Sequence, residues 1–204
     1  MTFIDFCSGI GGGRLGLELN GLKCLGFSEI DKEAIKTYKS FFDTQSEIEF
    51  GDLTKINPIS LPNFDVLISG FPCQSFSIVG KREGLENKEK GQIIFYLAEI
   101  LKAKKPQAFI LENVKGLVNH NKGETLKEIL RLLESCGYNV SFKVLNSLDF
   151  GLAHSRERIY FVGLKTNSKK SFSFEIKSDF VTKEARLQDF LKPQKENIFS
   201  TDSA

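Results

Sequence analysis

Residues 2–20 read TFIDFCSGIGGGRLGLELN, an apolar run that gives way to glycines and then to a helical pattern. "TFIDFC" has the near-continuous apolar character of a strand buried on both faces. Arg14 to Asn20 has helical spacing, and Gly21 supplies the residue that commonly closes a helix in the left-handed conformation. Glycines between a strand and a helix let the backbone approach a ligand and leave amides free at the helix N-terminus. Arg14 stands at the last glycine position of a G-x-G-x-x-G pattern, so the turn alone fits a tight turn as well as a nucleotide site.

Working outward, the same alternation recurs. "LKCLGFSEI" (22–30) reads as a second strand, and Asp31 then caps "KEAIKTYKSFF", whose Ala34, Ile35, Tyr38 and Phe42 share one helical face. "FDVLISG" (64–70) is a third strand, followed by a helix from about Gln92 to Lys104 and a strand at "QAFILEN" (107–113). "TLKEILRLLESCG" is an amphipathic helix closed by Gly137. "YNVSFKVLNS" and "ERIYFVGLK" read as two strands on a short connection, an antiparallel hairpin. Strand alternating with helix, with strands this apolar, predicts an α/β fold: a mostly parallel sheet covered by helices on both faces.

The chain has 204 residues, enough for one domain with a real core, and its 41% hydrophobic and 26% charged fractions are those of a globular protein. A net charge of +2 gives no global basic field to argue for nucleic acid. No apolar run approaches the ~20 residues of a membrane helix, and the N-terminus lacks a charged segment ahead of an apolar one, so the expected location is the cytoplasm. The four cysteines (Cys7, Cys24, Cys73, Cys136) form no C-x-x-C pair and stand at no ligand spacing to His120 or His154, which argues against a metal site. Cys7, Cys24 and Cys136 have apolar or strand-like surroundings and are expected to pack as small hydrophobes. The expected division is a catalytic domain over 1–165 and, over 166–204, a lysine- and serine-rich tail or the start of a further module.

In a parallel α/β sheet, ligands sit at the carboxyl ends of the strands. The chemically notable residues fall there: the glycines after the first strand, Glu29 after the second, Cys73 after "FDVLISG" and Glu112 after "QAFIL". A carboxylate in the place of Glu29 suits ribose hydroxyls, and Asp52 in "GDLTKI" suits an exocyclic amino group. Cys73, between a proline and a glutamine, has the surroundings of a nucleophile rather than a packing thiol, and only its thiolate would be reactive. Glu112 ends an apolar strand, where a bare carboxylate is costly unless paired or functional.

Six stretches occur in an order that resembles the cytosine-5 DNA methyltransferases. "FIDFCSGIGGGRLGLE", "GFSEIDKEAIKTY" and "GDLTKI" are similar to the family's first three motifs. "GFPCQSFSIVGKREG" resembles its catalytic loop, "ILENVKGL" its ENV motif and "HSRERIYFVG" its arginine motif. The resemblance implies a Rossmann-like methyltransferase that takes S-adenosylmethionine and methylates carbon 5 of cytosine in double-stranded DNA, with the target base flipped out of the helix. It implies Cys73 as the nucleophile on carbon 6, Glu112 at ring N3, Arg158 on the cytosine carbonyl and Arg156 orienting the loop. Gln74 and Ser77 belong to the substrate loop. Phe6, Gly9, Gly11, Glu29, Ile30, Asp52, Leu53 and Pro72 match cofactor-pocket positions. The resemblance also implies a bacterial restriction-modification context. The tRNA-acting branch shares it and is the alternative reading, as is a cofactor- or DNA-binding subunit without chemistry.

Three departures carry expectations of their own. Gly13 and Ile30 stand where relatives often carry aromatics, which implies weaker stacking on the adenine. His154 replaces a glutamine at the start of the arginine motif. After that motif the family continues into a target-recognition domain and a returning helix. These 204 residues cover the catalytic half, so recognition is expected from elsewhere, including a second polypeptide carrying that domain.

Overall fold

The computed structural model describes residues 1–72, 93–165 and 172–174. Strands β1 (Thr2–Phe6), β2 (Lys23–Ser28), β3 (Ile48–Glu49), β4 (Val66–Gly70), β5 (Ala108–Val114), β6 (Tyr138–Asn146) and β7 (Glu157–Lys165) form one seven-stranded sheet in the order β3-β2-β1-β4-β5-β7-β6. The pairs β1–β2, β1–β4, β2–β3 and β4–β5 are parallel, and β7 runs antiparallel to β5. The described helices are α1 (Gly12–Glu18), α2 (Lys32–Phe41), α3 (Ile93–Lys104) and α4 (Glu124–Ser135), joined by short 3-10 turns.

The elements follow the local chemistry. Asp31 caps α2 by accepting the Glu33 and Ala34 N–H groups at 2.8 and 3.1 Å, an arrangement worth about 1 kcal/mol. Gly21 and Gly137 adopt φ of 78° and 92° just beyond α1 and α4 and return their N–H groups to Glu18 and Glu134. The two-residue β3 was beyond sequence periodicity, since a pair of residues has no repeat to detect. Its approach depends on Gly26, where a Cβ would lie 2.3 Å from the Ile48 carbonyl oxygen.

Alternate residues of each strand serve the two faces of the sheet. Ile4, Phe6, Leu67, Phe109 and Leu111 join Leu97 and Leu101 of α3 and Ile129 and Leu133 of α4 in the main core. Phe3 and Val66 face the other way and pack with Leu17 of α1. Tyr38 of α2 stacks on Phe27 of β2 at 4.2 Å between ring centroids. Helices thus cover both faces, as the alternation predicted.

The chain divides into two compact units, Met1–Leu145 with Arg158–Phe174, and Asn146–Glu157 with Glu175–Ala204. In the second, Asn146 Oδ1 accepts the Leu148 and Arg156 N–H groups at 3.1 Å each, which closes the 146–156 turn. Among the described residues no helix is long and apolar enough to cross a membrane.

Candidate active site

The strand order reverses direction at β1 and β4: β2 and β3 extend the sheet to one side of β1, β4 and β5 to the other. That is the place where an open α/β sheet leaves a crevice at its carboxyl edge. Both walls are built from residues singled out in the sequence.

On the β1 side the chain leaves the sheet through Cys7, held at a left-handed φ of 51°, and enters the glycine turn. The Ser8 N–H donates to the Ser28 carbonyl at 3.1 Å, the Gly9 N–H to Glu29 Oε2 at 2.8 Å, and the Gly11 N–H to the Ser8 carbonyl at 2.9 Å. Glu29 Oε1 accepts the Ile30 and Asp31 N–H groups at 2.8 and 3.0 Å. Glu29 therefore ties the second strand end to the turn while keeping a lone pair for a further donor. Asp52 caps its own turn through the Thr54 hydroxyl and N–H at 2.7 and 2.9 Å, and these bonds hold its carboxyl below the ordinary value. Ile30 is 72% exposed beside Glu29. Phe6 and Leu53 are buried in the core, with the Phe6 ring against Phe50 and Phe64, so what they offer a ligand is main chain.

The residues present fit S-adenosylmethionine. Gly9 would meet nothing within 4 Å of an added Cβ, leaving open space over the turn. Among the described residues, Ser8 Oγ near the end of β1 and Asp5 Oδ2 beneath α1 are buried without a hydrogen-bond partner. The exposed Ile30 side chain next to Glu29, together with open space at Gly9, matches a ligand with a flat ring and hydroxyls.

On the β4 side, parallel pairing sets Gly70 against Glu112. Glu112 Oε2 lies 3.5 Å from the Cβ position of Gly70, so the carboxyl flanks the point where the chain enters "FPCQS". Arg158 Nε donates to Glu112 Oε1 at 2.8 Å. The register explains the pair: Glu112 is opposite Tyr160 on β7, and Arg158 is the diagonal neighbour two residues away. The carboxylate expected to need a partner has one. Pro72 is the last described residue here and is exposed; Cys73, Gln74 and Ser77 lie outside the described residues. The Arg156 main chain is held within the second unit by Asn146 and Ser147.

Three residues of this region were missed in the sequence. Asn113, next to Glu112, is buried and donates through Nδ2 to the Phe71 carbonyl at 2.9 Å while Oδ1 accepts the Val114 N–H at 2.8 Å. Asp5 is a charged residue inside an apolar strand, a visible signal that went unused. Burial pushes its carboxyl up to about 8, against the opposing pull of Arg14. Arg14 also left a signal that went unused: it breaks the glycine pattern and puts a cation in the first turn of a helix, against the macrodipole. Burial pushes the Cys7 and Cys24 thiols up to about 12 and raises that of Cys136. The site of Gly13 is also clarified, since a Cβ there would point at Ile68 Cδ1, 2.8 Å away, and toward the sheet.

The sequence profile of the C-5 cytosine-specific DNA methylases matches residues 1–203. The chain is 45% identical over 175 residues to the Type II methyltransferase M.DsaV of Dactylococcopsis salina, covering 86% of this chain and 49% of that protein. It is 51% identical over 164 residues to the Type II methyltransferase M.NgoBI of Neisseria gonorrhoeae, covering 80% and 50%. The chain spans about half the length of these curated relatives. In fold it is similar to the methyltransferase EhMeth of Entamoeba histolytica, with a TM-score of 0.68 at 23% identity over 95% of this chain and 60% of that one. The S. pombe Dnmt2 methyltransferase gives 0.63 at 19% over 85% and 51%. The strand-end carboxylates, the glycine turn and the ordered motifs agree with the profile: the chain belongs to the C-5 cytosine-specific DNA methylase family, whose methyl donor is S-adenosylmethionine.

Proposed function

We propose that this chain carries the chemistry of a DNA cytosine-5 methyltransferase, with Cys73 as nucleophile and Glu112 and Arg158 as the groups that hold the base. The observation that carries the reading is the Glu112–Arg158 pair, placed by the β4–β5 register beside the start of the Cys73 segment. S-adenosylmethionine supplies an electrophilic methyl group when bound. The Cys73 thiolate adds to carbon 6 of a flipped cytosine while a proton at Glu112 meets N3, so the ring takes on no net charge. Carbon 5 is then nucleophilic and takes the methyl from the sulfonium; loss of the carbon 5 proton to solvent and of the thiolate, with return of the N3 proton to Glu112, restores the neutral ring. Arg158 does two things: its Nε holds the Glu112 carboxyl in line, and its guanidinium is assigned to the cytosine carbonyl by the arginine-motif resemblance.

Base-specific reading of DNA needs side chains that reach base edges, and it is assigned here to protein outside these 204 residues, in a longer form of the chain or in a second polypeptide. The test is a duplex carrying 5-fluorocytosine, incubated with S-adenosylmethionine and the protein. The fluorine cannot leave as the carbon 5 proton does, so the expected product is a covalent complex mapped to Cys73. Trapping that survives Cys73→Ser overturns the assignment. Methyl transfer to tRNA and not to duplex DNA would give the site to the RNA-acting branch.

A further inference from the structure

Arg14 breaks the glycine pattern of the first turn, yet its side chain is among the most completely engaged in the protein. The residue is 3% exposed. A guanidinium has five N–H donors, and each has a partner. Nε donates to Glu18 Oε1 at 2.9 Å. Nη1 donates to Glu47 Oε2 at 2.7 Å and to the Tyr38 hydroxyl at 3.2 Å. Nη2 donates to Glu47 Oε1 at 2.7 Å and to the Asp43 carbonyl at 3.4 Å. The pair with Glu47 is the two-pronged fork that only arginine can make. The guanidinium also lies over the Phe42 ring at 4.3 Å and the Tyr38 ring at 5.2 Å.

These same rings close over the glycine turn. A Cβ on Gly11 would lie 2.3 Å from Phe42 Cε2 and 3.0 Å from Tyr38 Cδ2. The Arg14 charge and its backbone N–H stand close enough to the Asp5 carboxyl on β1 to oppose the rise that burial imposes on it. Arg14 thus grips the α2–β3 connection with its side chain and stands against β1 with its main chain, and the turn from Ser8 to Gly13 is confined between them.

A buried arginine–glutamate pair is often no more stabilising than apolar residues of the same volume. What such a node supplies is a single geometry. We propose that Arg14 is a positioning residue for the methyl donor: it fixes the Ser8–Gly13 turn in the conformation that binds S-adenosylmethionine. The proposal rests on the cofactor reading of that turn.

Arg14→Met combined with Glu47→Met, which removes the fork, keeps the volume and leaves no bare buried carboxylate, and Glu47→Gln, which keeps Arg14 and spoils its fork, separate positioning from bulk stability. In the free protein, amide hydrogen exchange at residues 9–13 is expected to accelerate about tenfold or more in the double variant, with the β5 amides unchanged. The S-adenosylmethionine Kd, read by calorimetry, is expected to rise by about tenfold or more while Tm moves little. Glu47→Gln should shift both readouts the same way by less, and it decides the matter if the double variant fails to fold. A folded variant with wild-type exchange at residues 9–13 and a wild-type Kd overturns the proposal. So does exchange that accelerates equally in β5, since that marks general destabilisation. If the wild-type protein binds no S-adenosylmethionine, the cofactor reading falls, and the exchange result alone decides whether Arg14 holds the turn.

Discussion

Asn113 donates to the main-chain carbonyl of Phe71 at 2.9 Å, joining the residue after Glu112 to the residue two before Cys73. Both ends of that bond are buried. Asn113→Asp would set a carboxylate against the carbonyl. The expected result is a loss of ~1–3 kcal/mol in stability, read from the urea midpoint, and a larger loss of methyl transfer than of S-adenosylmethionine binding. Equal losses of both would make Asn113 a core residue only.

Glu112→Gln keeps the shape of the side chain and removes the proton it delivers. Methyl transfer should fall by roughly 10²–10⁴-fold, the usual effect of losing a general acid, with cofactor affinity unchanged. Arg158→Lys should also slow transfer, because an ammonium cannot reproduce the Nε contact with Glu112. Single-turnover kinetics on a duplex substrate with tritiated donor measure both.

Asp5 predicts a pH dependence. Its carboxyl is raised from 3.8 to about 8, with Arg14 and Glu29 as the nearby charges and Cys7 and Tyr38 coupled to it. The folded state therefore binds a proton that the unfolded chain has lost between these values. Stability from this group is complete below about 3.8 and is lost as pH rises through 8. Asp5→Asn imitates the protonated form, so its stability relative to wild type should grow with pH across that window, at a slope of up to ~1.4 kcal/mol per pH unit. Paired denaturation curves from pH ~5 to ~8.5 check the sign; a constant difference would mean that Asp5 does not titrate there.

Gly11 and Gly12 are adjacent and should respond in opposite ways to alanine. Gly11 has a φ of 91° and Phe42 at 2.3 Å from its Cβ position, while Gly12 begins α1 with open space around it. Gly11→Ala should cost at least ~1–3 kcal/mol, and Gly12→Ala should be neutral or stabilise by ~0.4–1 kcal/mol. Thermal melts of the two variants suffice.

Thiol chemistry should single out one cysteine. With Cys7 and Cys24 pushed up to about 12, almost none of either is thiolate at neutral pH. Iodoacetamide under native conditions should label Cys73 first, mapped by mass spectrometry. Early labelling of Cys7 or Cys24 would contradict their burial.

The parts of the fold that could be read in advance are those where local chemistry acts alone. Asp31, Gly21 and Gly137 end or begin helices through bonds to residues two or three positions away, and the apolar strands announce burial by composition. The placement of Glu29 and the glycine turn at strand ends was legible for the same reason, whereas Glu112, expected to end its strand, lies two residues inside the end of β5. What escaped was set by pairs distant in sequence. Arg14 finds Glu47 at 33 residues' separation and Asn113 finds Phe71 at 42, and no window of sequence contains both members. Gly13 shows the converse: read by position it implied a lost stacking partner, whereas its Cβ direction leads to Ile68 and the sheet.

The interposition of β7 between β5 and β6 has a consequence for how the protein is made. During synthesis β5 emerges before β7, the strand that covers its flank, and β6 also emerges before β7, its neighbour in the sheet. An unpaired β5 edge is a template for wrong pairing until residues 157–165 arrive. The strand that closes this edge is also the one that brings Arg158 to Glu112. Sealing the nascent chain against self-association and completing the carboxylate's partnership are therefore one event, and a chain that has not finished folding has no assembled acid.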